Sequence, residues 1–468
     1  MALLFAHRHA LVVLLLSALF SSVAAQSTPS PSPACSSAAS CCDITGGVLT
    51  CAGCCANTTA LDLQDKGITT VPAGVFDNLT AVQSIYLTNN PFISLPACLF
   101  CKNFALEWLE LGQKNTRGSR LRSLPDFLFP PTGSALQHLD IGSGSDWSEA
   151  GGGATLGFLN ASTFANLTQL LYLRLFNAGV TGFDPASFCS MRALTYLDMS
   201  YNNIAFFPPG LFDNLTAVRT IRLPDNPFTS LPACLFCKNL ALEHLSLGYH
   251  YSVYGSLLTS LPDHLFPPAG SSLKHLEFNR GFEGPGASLG FLKASTFENL
   301  TSLTFLGFER AGVTGFEPRT FSSMRQLNSL DLSACSLTVL PTEAFTGLTS
   351  LTALSLRNNS LTTDGLDGDI FAPLTSLQIL DLSQNRLSSV SSCWLQPLTS
   401  LSVASFMNNA FLTSLPPNLC SPTIASTAVY FDNTAVLNAS CSQYFSSIAS
   451  MPSFCFNASA SRDSEAVM

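Results

Sequence analysis

Apolar residues in this chain recur in a fixed pattern. In LTYLDMSYNNIAFFPPGLF (residues 194–212), Leu194, Leu197 and Met199 stand three and then two positions apart, Asn202 closes the group, and Ile204, Phe207 and Phe212 follow at wider spacing. Period-2 alternation predicts a short strand with one buried face. The Asn predicts a tight turn, and the Pro-containing remainder an irregular return along the opposite side. The pattern resumes 24 residues later at Val218, Ile221, Leu223 and Asn226. One such coil cannot bury its own apolar edge, so the coils must stack.

The coils are counted by their central strand residue: Leu61, Ile85, Leu109, Leu139, Leu173, Leu197, Ile221, Leu245, Leu276, Leu306, Leu330, Leu354, Leu380 and Ala404. A second register runs nine or ten residues ahead of it, through Phe76, Phe100, Phe129, Phe164, Phe188, Phe212, Phe236, Phe266, Phe297, Phe321, Phe345 and Phe371. Stacked, these rings form an aromatic spine on the return side, where truncating a buried Phe to Ala costs roughly 3–5 kcal/mol. Asn90, Asn202, Asn226, Asn359, Asn385 and Asn409 can satisfy turn backbone groups, whereas Ala178, Ala311 and Cys335 at the same place cannot do so in that way.

A larger repeat overlies the small one. FDNLTAVQSIYLTNNPFISLPACLFCKN (76–103) returns as FDNLTAVRTIRLPDNPFTSLPACLFCKN (212–239), and LGFLNASTFANLT (156–168) as LGFLKASTFENLT (289–301), so five coils are duplicated as a block. Two coils in each block are stretched just after the strand, at 112–120 and 142–155, then at 248–257 and 279–288. Loops leaving a strand there emerge at one rim of the sheet. They read either as tolerated insertions, as in GSGSDWSEAGGG, or as binding loops, as in the tyrosine-bearing GYHYSVYG.

Composition narrows the class. Of 468 residues 47% are apolar and 11% charged, which suits a large shared core and excludes disorder for most of the chain. Residues 1–25, with Arg8 and the apolar run 10–20 before Val23-Ala24-Ala25, read as a secretory signal peptide. No later segment has the roughly 18 apolar residues of a membrane span, and the end SRDSEAVM does not resemble a lipid-anchor signal. The expected location is therefore secreted, extracellular. Cleavage removes Arg8 and no acid, leaving 20 basic against 30 acidic residues, a balance that argues against nucleic acid or anionic membrane as partner.

Sixteen cysteines on such a route default to disulfides. Candidates are Cys35, Cys41, Cys42, Cys51, Cys54 and Cys55 in an N-terminal cap, the pairs Cys98/Cys101 and Cys234/Cys237 on returns, and Cys420, Cys441 and Cys455 near the end, while Cys189 and Cys335 have no obvious partner. Six cap cysteines allow 15 pairings; a zinc site is the rival, disfavoured because the cluster has no His. Sequons at Asn57, Asn78, Asn160, Asn166, Asn214, Asn299, Asn358, Asn438 and Asn457 point to a glycoprotein. Four of them fall in FxNLT before a strand and place glycans on the return side, with Asn358 expected on the concave face. The expected organisation is signal peptide 1–25, Ser/Pro tether 26–34, Cys-rich cap 35–58, a solenoid of about 14 repeats over 59–418, and a Cys-containing C-terminal cap and tail over 419–468.

The LPxxxFxxLxxLxxLxLxxN grammar of SLPACLFCKNLALEHLSLG (230–248) and VLPTEAFTGLTSLTALSLRNN (339–359) resembles extracellular leucine-rich repeat proteins of the 24-residue kind, such as variable lymphocyte receptors, Toll-like receptor ectodomains and Slit-type domains. The plant-type LxGxIP pattern is absent. The resemblance covers about 61–409 and implies an α/β, mostly β, solenoid: a curved horseshoe with a parallel concave sheet, irregular convex returns and a disulfide-rich N-terminal cap. The ends depart from the family. The N-terminal cap has six cysteines where four are usual, and the last three lack the usual CxC start.

Alternation sends the residues on either side of each central position to the concave surface. The third-position column reads Trp108, His138, Tyr172, Tyr196, Thr220, His244, His275 and Phe305; the fifth reads Glu110, Asp140, Arg174, Asp198, Arg222, Ser246 and Glu277. An aromatic stripe beside alternating charge suits recognition of an extracellular protein or glycan. The plain alternative is a solvated sheet face whose ion pairs contribute about 0–1 kcal/mol each. His138 with Asp140 and His275 with Glu277 are conceivable acid–base pairs, yet no nucleophile, metal triad or enclosed pocket accompanies them, so neither an enzyme nor any cofactor or metal is expected. The competing function is a structural matrix or cell-wall component.

Overall fold

The computed structural model describes residues 41–51, 57–112, 121–143, 155–248, 257–280 and 288–413, together with short backbone segments at 428–431 and 466–467. Its centre is one sixteen-stranded sheet. Each of the fourteen central residues sits within a strand of it, from Leu61 in Ala60–Asp62 to Ala404 in Val403–Ser405, and successive strands pair in parallel without slip at their centres. Ala428–Phe431 adds one more parallel rung, and Ala466–Val467 closes the sheet antiparallel. Among the described residues helix is confined to Ala294–Phe297, Ser392–Leu395 and the 3-10 turn Thr363–Gly365.

The coil closes as the pattern requires. Leu109, Leu173 and Leu197 are fully buried, and the flanking Trp108, Tyr172 and Tyr196 are half-buried. Most strands of the sheet are followed by a left-handed residue, such as Asn89, Asn177, Tyr201, Asp225 and Asn358, whereas Ser143 and Arg280, which open two of the stretched loops, are not left-handed. The following Asn offsets the carbonyls and amides this turn strands. Asn202 Oδ1 accepts from the Ala178 and Val180 amides at 3.1 and 2.9 Å, and its Nδ2 donates to the Leu175, Met199 and Ser200 carbonyls at 2.8, 2.9 and 3.1 Å. That Asn ties its own turn to the preceding coil. Cys335 gives a weaker version, its thiol donating to the Phe308 carbonyl at 3.3 Å. A second Asn pair, Asn103 and Asn239, works on the return side, each donating to two carbonyls of the preceding coil.

The phenylalanine spine is present but segmented. Phe76, Phe100 and Phe129 stack, as do Phe164 through Phe266 and Phe345 with Phe371. Ring contact is lost between Phe129 and Phe164 and between Phe266 and Phe297, where a stretched coil changes the path of the return; Phe321 and Phe345 also do not touch. Ring spacing within the runs is 5.6–6.2 Å, wider than the ~4.8 Å between neighbouring strands. Coils that are farther apart on the return side than on the sheet side bend the stack toward the sheet, which makes the sheet face concave.

At the N-terminal end Asp43–Thr45 and Val48–Thr50 form a hairpin across Gly46-Gly47, both with positive φ as a two-residue turn demands. Cys42 and Cys51 form a disulfide across its base, and Leu49, fully buried, covers the first coil. The Leu49 amide donates to Thr70 and the Thr69 amide to Gly47, so the hairpin occupies the backbone groups the first coil would otherwise expose.

Candidate ligand-binding face

The strand register brings the third-position residues into one line: Trp108, His138, Tyr172, Tyr196, Thr220, His244, His275 and Phe305. Four of them form a continuous stack. Ring centroids are 3.5 Å apart from Trp108 to His138, 4.3 Å from His138 to Tyr172 and 4.7 Å from Tyr172 to Tyr196, with planes within 7° of parallel. Thr220 interrupts the line. Beyond it His244 and His275 are tilted by 53°, and His275 stacks on Phe305 at 4.4 Å. Because His138 and Tyr172 are covered on both faces, the middle of the stripe presents ring edges and polar tips, and among the described residues only the end rings of this stack, Trp108 and Tyr196, have a face without a stacked ring.

The fifth-position residues lie alongside and lock the rings. Trp108 Nε1 donates to Glu110 Oε1 at 2.9 Å, Arg174 pairs with Asp140 at 3.3 Å, and the Tyr196 hydroxyl donates to Asp198 at 3.4 Å. Asp198 also accepts from the Ser200 amide and hydroxyl at 2.9 and 2.6 Å, and Arg222 hydrogen-bonds Tyr196. Downstream, Glu277 accepts from Ser246 at 3.1 Å and pairs with His275 at 2.8 Å. Burial raises the Asp140 carboxyl above its usual range, against the pull of Arg174. Burial likewise raises the Tyr172 and Tyr196 phenols, so both remain protonated. The His244 imidazole is pushed down to about 4, first by burial and then by His275.

Several residues of this face are not singled out by the third and fifth columns. Just before each strand, Gln83, Glu107, Gln137, Arg219, Glu243 and Lys274 follow the same ladder, and Glu243 is clamped between Arg219 and Lys274, the latter at 2.6 Å. At the rim Glu309, beside Arg310, is pushed up to about 7 by burial and by Asp331. The signal for the first set is present in the sequence as the second residue of each LxxLxL. Among the described residues no group of three His, Cys, Asp or Glu is placed to hold a metal ion.

Other expected residues fall away from this face. Cys98–Cys101 and Cys234–Cys237 form disulfides on the returns. Cys189 and Cys335 are free thiols, and burial pushes the Cys335 thiol up to about 12. Cys41 is half-buried, its sulfur 3.8 Å from the Thr58 hydroxyl. Asn57, Asn78, Asn160, Asn299 and Asn358 are exposed, and Asn166 and Asn214 half-buried. Asn358 lies in the turn that leaves Ala353–Ser355, on the rim and not on the concave face as expected, because the left-handed turn has already carried the chain off the strand. Cys35, Cys54, Cys55, Cys420, Cys441, Cys455, Asn438, Asn457 and the centres of the four stretched loops lie outside the described residues.

Fold and repeat grammar together define the class: this is a leucine-rich repeat protein. The leucine rich repeat family model matches residues 153–204, 176–228 and 325–387. Among solved structures the chain resembles Toll and Toll-like receptor ectodomains. It shares 21% identity with a chain of the Drosophila Toll–Spatzle complex, covering 76% of this chain and 41% of that one at a TM-score of 0.51. With a chain of the TLR13–ssRNA13 complex it shares 22% identity, covering 77% of this chain and 51% of the other at a TM-score of 0.54. This chain thus spans about half or less of those chains. A search of curated protein sequences returns no match.

Proposed function

We propose that this protein is a secreted, glycosylated recognition module that binds a partner protein through its concave sheet and carries out no chemistry of its own. One observation carries the reading: the order of this face is spent on solvent-facing rings and charges. Trp108, His138, Tyr172 and Tyr196 are held parallel by each other and by Glu110 and Asp198, an arrangement the core does not need. Preorganised aromatic and charged groups are what binding hot spots consist of. A row of sugar rings would require aromatic faces along the stripe, and those of His138 and Tyr172 are covered on both sides, whereas edges, hydroxyls and alternating charge suit a polypeptide. None of the described sequons lies on a strand of the large sheet, so glycans on them leave the face clear.

Structural similarity to Toll and TLR13, which were solved with Spatzle and with ssRNA13, supports a binding role for the shared scaffold. An excess of 30 acidic over 21 basic residues favours a protein over RNA here. No helix of the described residues is long and apolar enough to cross a membrane. The test is capture from a panel of extracellular proteins and glycans by the wild-type chain and by a Tyr172→Ala, Arg174→Ala, Tyr196→Ala triple variant. Capture by wild type and its loss in a variant with unchanged circular dichroism is the expected result; undiminished capture by that folded variant refutes the reading.

A further inference from the structure

The duplicated blocks place the same ladder twice on the concave face, and the two copies differ in who supplies the positive charge. In the second copy the row before the strands reads Arg219, Glu243, Lys274, joined by backbone bonds from the Glu243 amide to Arg219 and from the Lys274 amide to Glu243. Both cations pair with the Glu243 carboxylate, which they hold below its usual range. In the first copy the equivalent row is Gln83, Glu107, Gln137, joined by the same two backbone bonds. Glu107 is exposed and, among the described residues, has no ion-pair partner; nor has Asp62, exposed two strands away. Across the first four strands of the sheet the second, third and fifth positions hold Asp62, Glu107, Glu110 and Asp140 and no Lys or Arg.

The first copy differs in a second respect. Its third-position residue beside Glu107 is Trp108, where the second copy has His244. The indole stacks on His138 through one face; on its other side the third-position neighbours are Ser84 and then Ala60, and no ring of the described residues stacks there. Trp108 Nε1 is held by Glu110, so the plane is fixed. Among the described residues, an indole face with no ring stacked on it and, at the preceding position, a carboxylate with no ion-pair partner make the arrangement that takes a guanidinium or ammonium group.

We propose that the N-terminal third of the concave face receives a basic side chain, Arg or Lys, from an extended segment of the partner protein. The cation lies on the open face of Trp108 above Ser84 and pairs with Glu107, with Asp62 drawing the next basic residue of the segment. The partner thereby supplies in the first copy what Arg219 and Lys274 supply from within in the second. This rests on the concave-face reading and adds the chemistry of the contacting segment.

The test transplants the second copy's cations into the first. Gln83 and Gln137 are both exposed, so Gln83→Arg with Gln137→Lys is tolerated by the fold. Binding of the synthetic peptides acetyl-(Gly-Arg)4-amide and acetyl-(Gly-Gln)4-amide is measured by calorimetry on the full chain at two salt concentrations. Expected are salt-sensitive binding of the arginine peptide alone and a roughly tenfold or greater weakening in the transplant. Glu107→Gln and Trp108→Leu are each expected to weaken it about three- to tenfold. Equal binding of the arginine peptide by wild type and transplant, or no preference over the glutamine peptide, overturns the proposal. Either result leaves the concave-face reading standing, since that reading falls on undiminished capture by the Tyr172, Arg174 and Tyr196 variant.

Discussion

Two columns of rings line this molecule, one inside along most of the solenoid and one outside between Trp108 and Phe305, and they are built differently. Phe188, Phe212 and Phe236 are fully buried and stand 6.2 and 5.6 Å apart. Trp108, His138, Tyr172 and Tyr196 are half-buried and stand 3.5 to 4.7 Å apart. The inner rings are fixed by what surrounds them on every side, including Phe183 and Phe207 from the descending part of the coil. The outer rings are fixed by strand spacing and by hydrogen bonds to carboxylates. One column holds the stack together, and the other is held ready by it.

The contrast breaks most visibly at the inner column. Phe212→Ala removes a fully buried ring that stacks on both neighbours, and the expected loss is about 3–5 kcal/mol, read from chemical denaturation. Because coils contact only their neighbours, hydrogen exchange should speed most between residues 188 and 245. A loss under about 1 kcal/mol would mean the spine is not the cohesive element. Next in size is Asn202→Ala, which leaves the Ala178 and Val180 amides and three carbonyls without their side-chain partner. Buried groups so stranded cost about 1–3 kcal/mol in total if water enters the turn, and the same denaturation measurement checks it.

Both columns are legible in the sequence as positions, and neither is legible as geometry. The central residues, the Asn ladder and the CxxC disulfides follow from spacing, because a coil of fixed length returns each residue to the same place. The breaks in the spine do not, since they depend on how the stretched coils reroute the returns. Nor does the covering of both ring faces at His138 and Tyr172, which depends on side-chain rotation at one rung spacing. The partnership of Glu243 with Arg219 and Lys274 joins residues 24 and 31 positions apart, and no local motif marks it. The Gly46-Gly47 hairpin is the opposite case, a turn signal in plain sight that the cysteine count obscures.

The outer column should yield smaller effects on stability and larger ones on binding. Tyr172→Ala removes two stacking contacts, each contributing about 0.5–1.5 kcal/mol beyond buried area. Expected is a stability loss below that of Phe212→Ala together with a clear loss of partner capture. A loss equal to that of Phe212→Ala would erase the distinction between a cohesive and a presented column.

The smallest effect is also the one that separates the columns by pH. His244 has a folded pKa of about 4, below the ordinary value near 6.5, because it is largely buried and faces His275, with Lys274 adding to the push and Glu243 and Glu277 opposing it. Between those two values the unfolded chain takes a proton that the folded chain refuses. The stability His244 contributes is therefore complete above pH 6.5 and is lost progressively as pH falls toward 4. Denaturation midpoints of wild type should fall across this window more than those of His244→Gln, while the deficit of Phe212→Ala relative to wild type should stay constant, since that ring is fully buried among Phe188, Phe207 and Phe236. The His244 ring resonances should show no titration above pH 5. A midpoint near 6.5 would show that the imidazole is solvated, and the outer column would then be less ordered beyond Thr220 than its stacked half is before it.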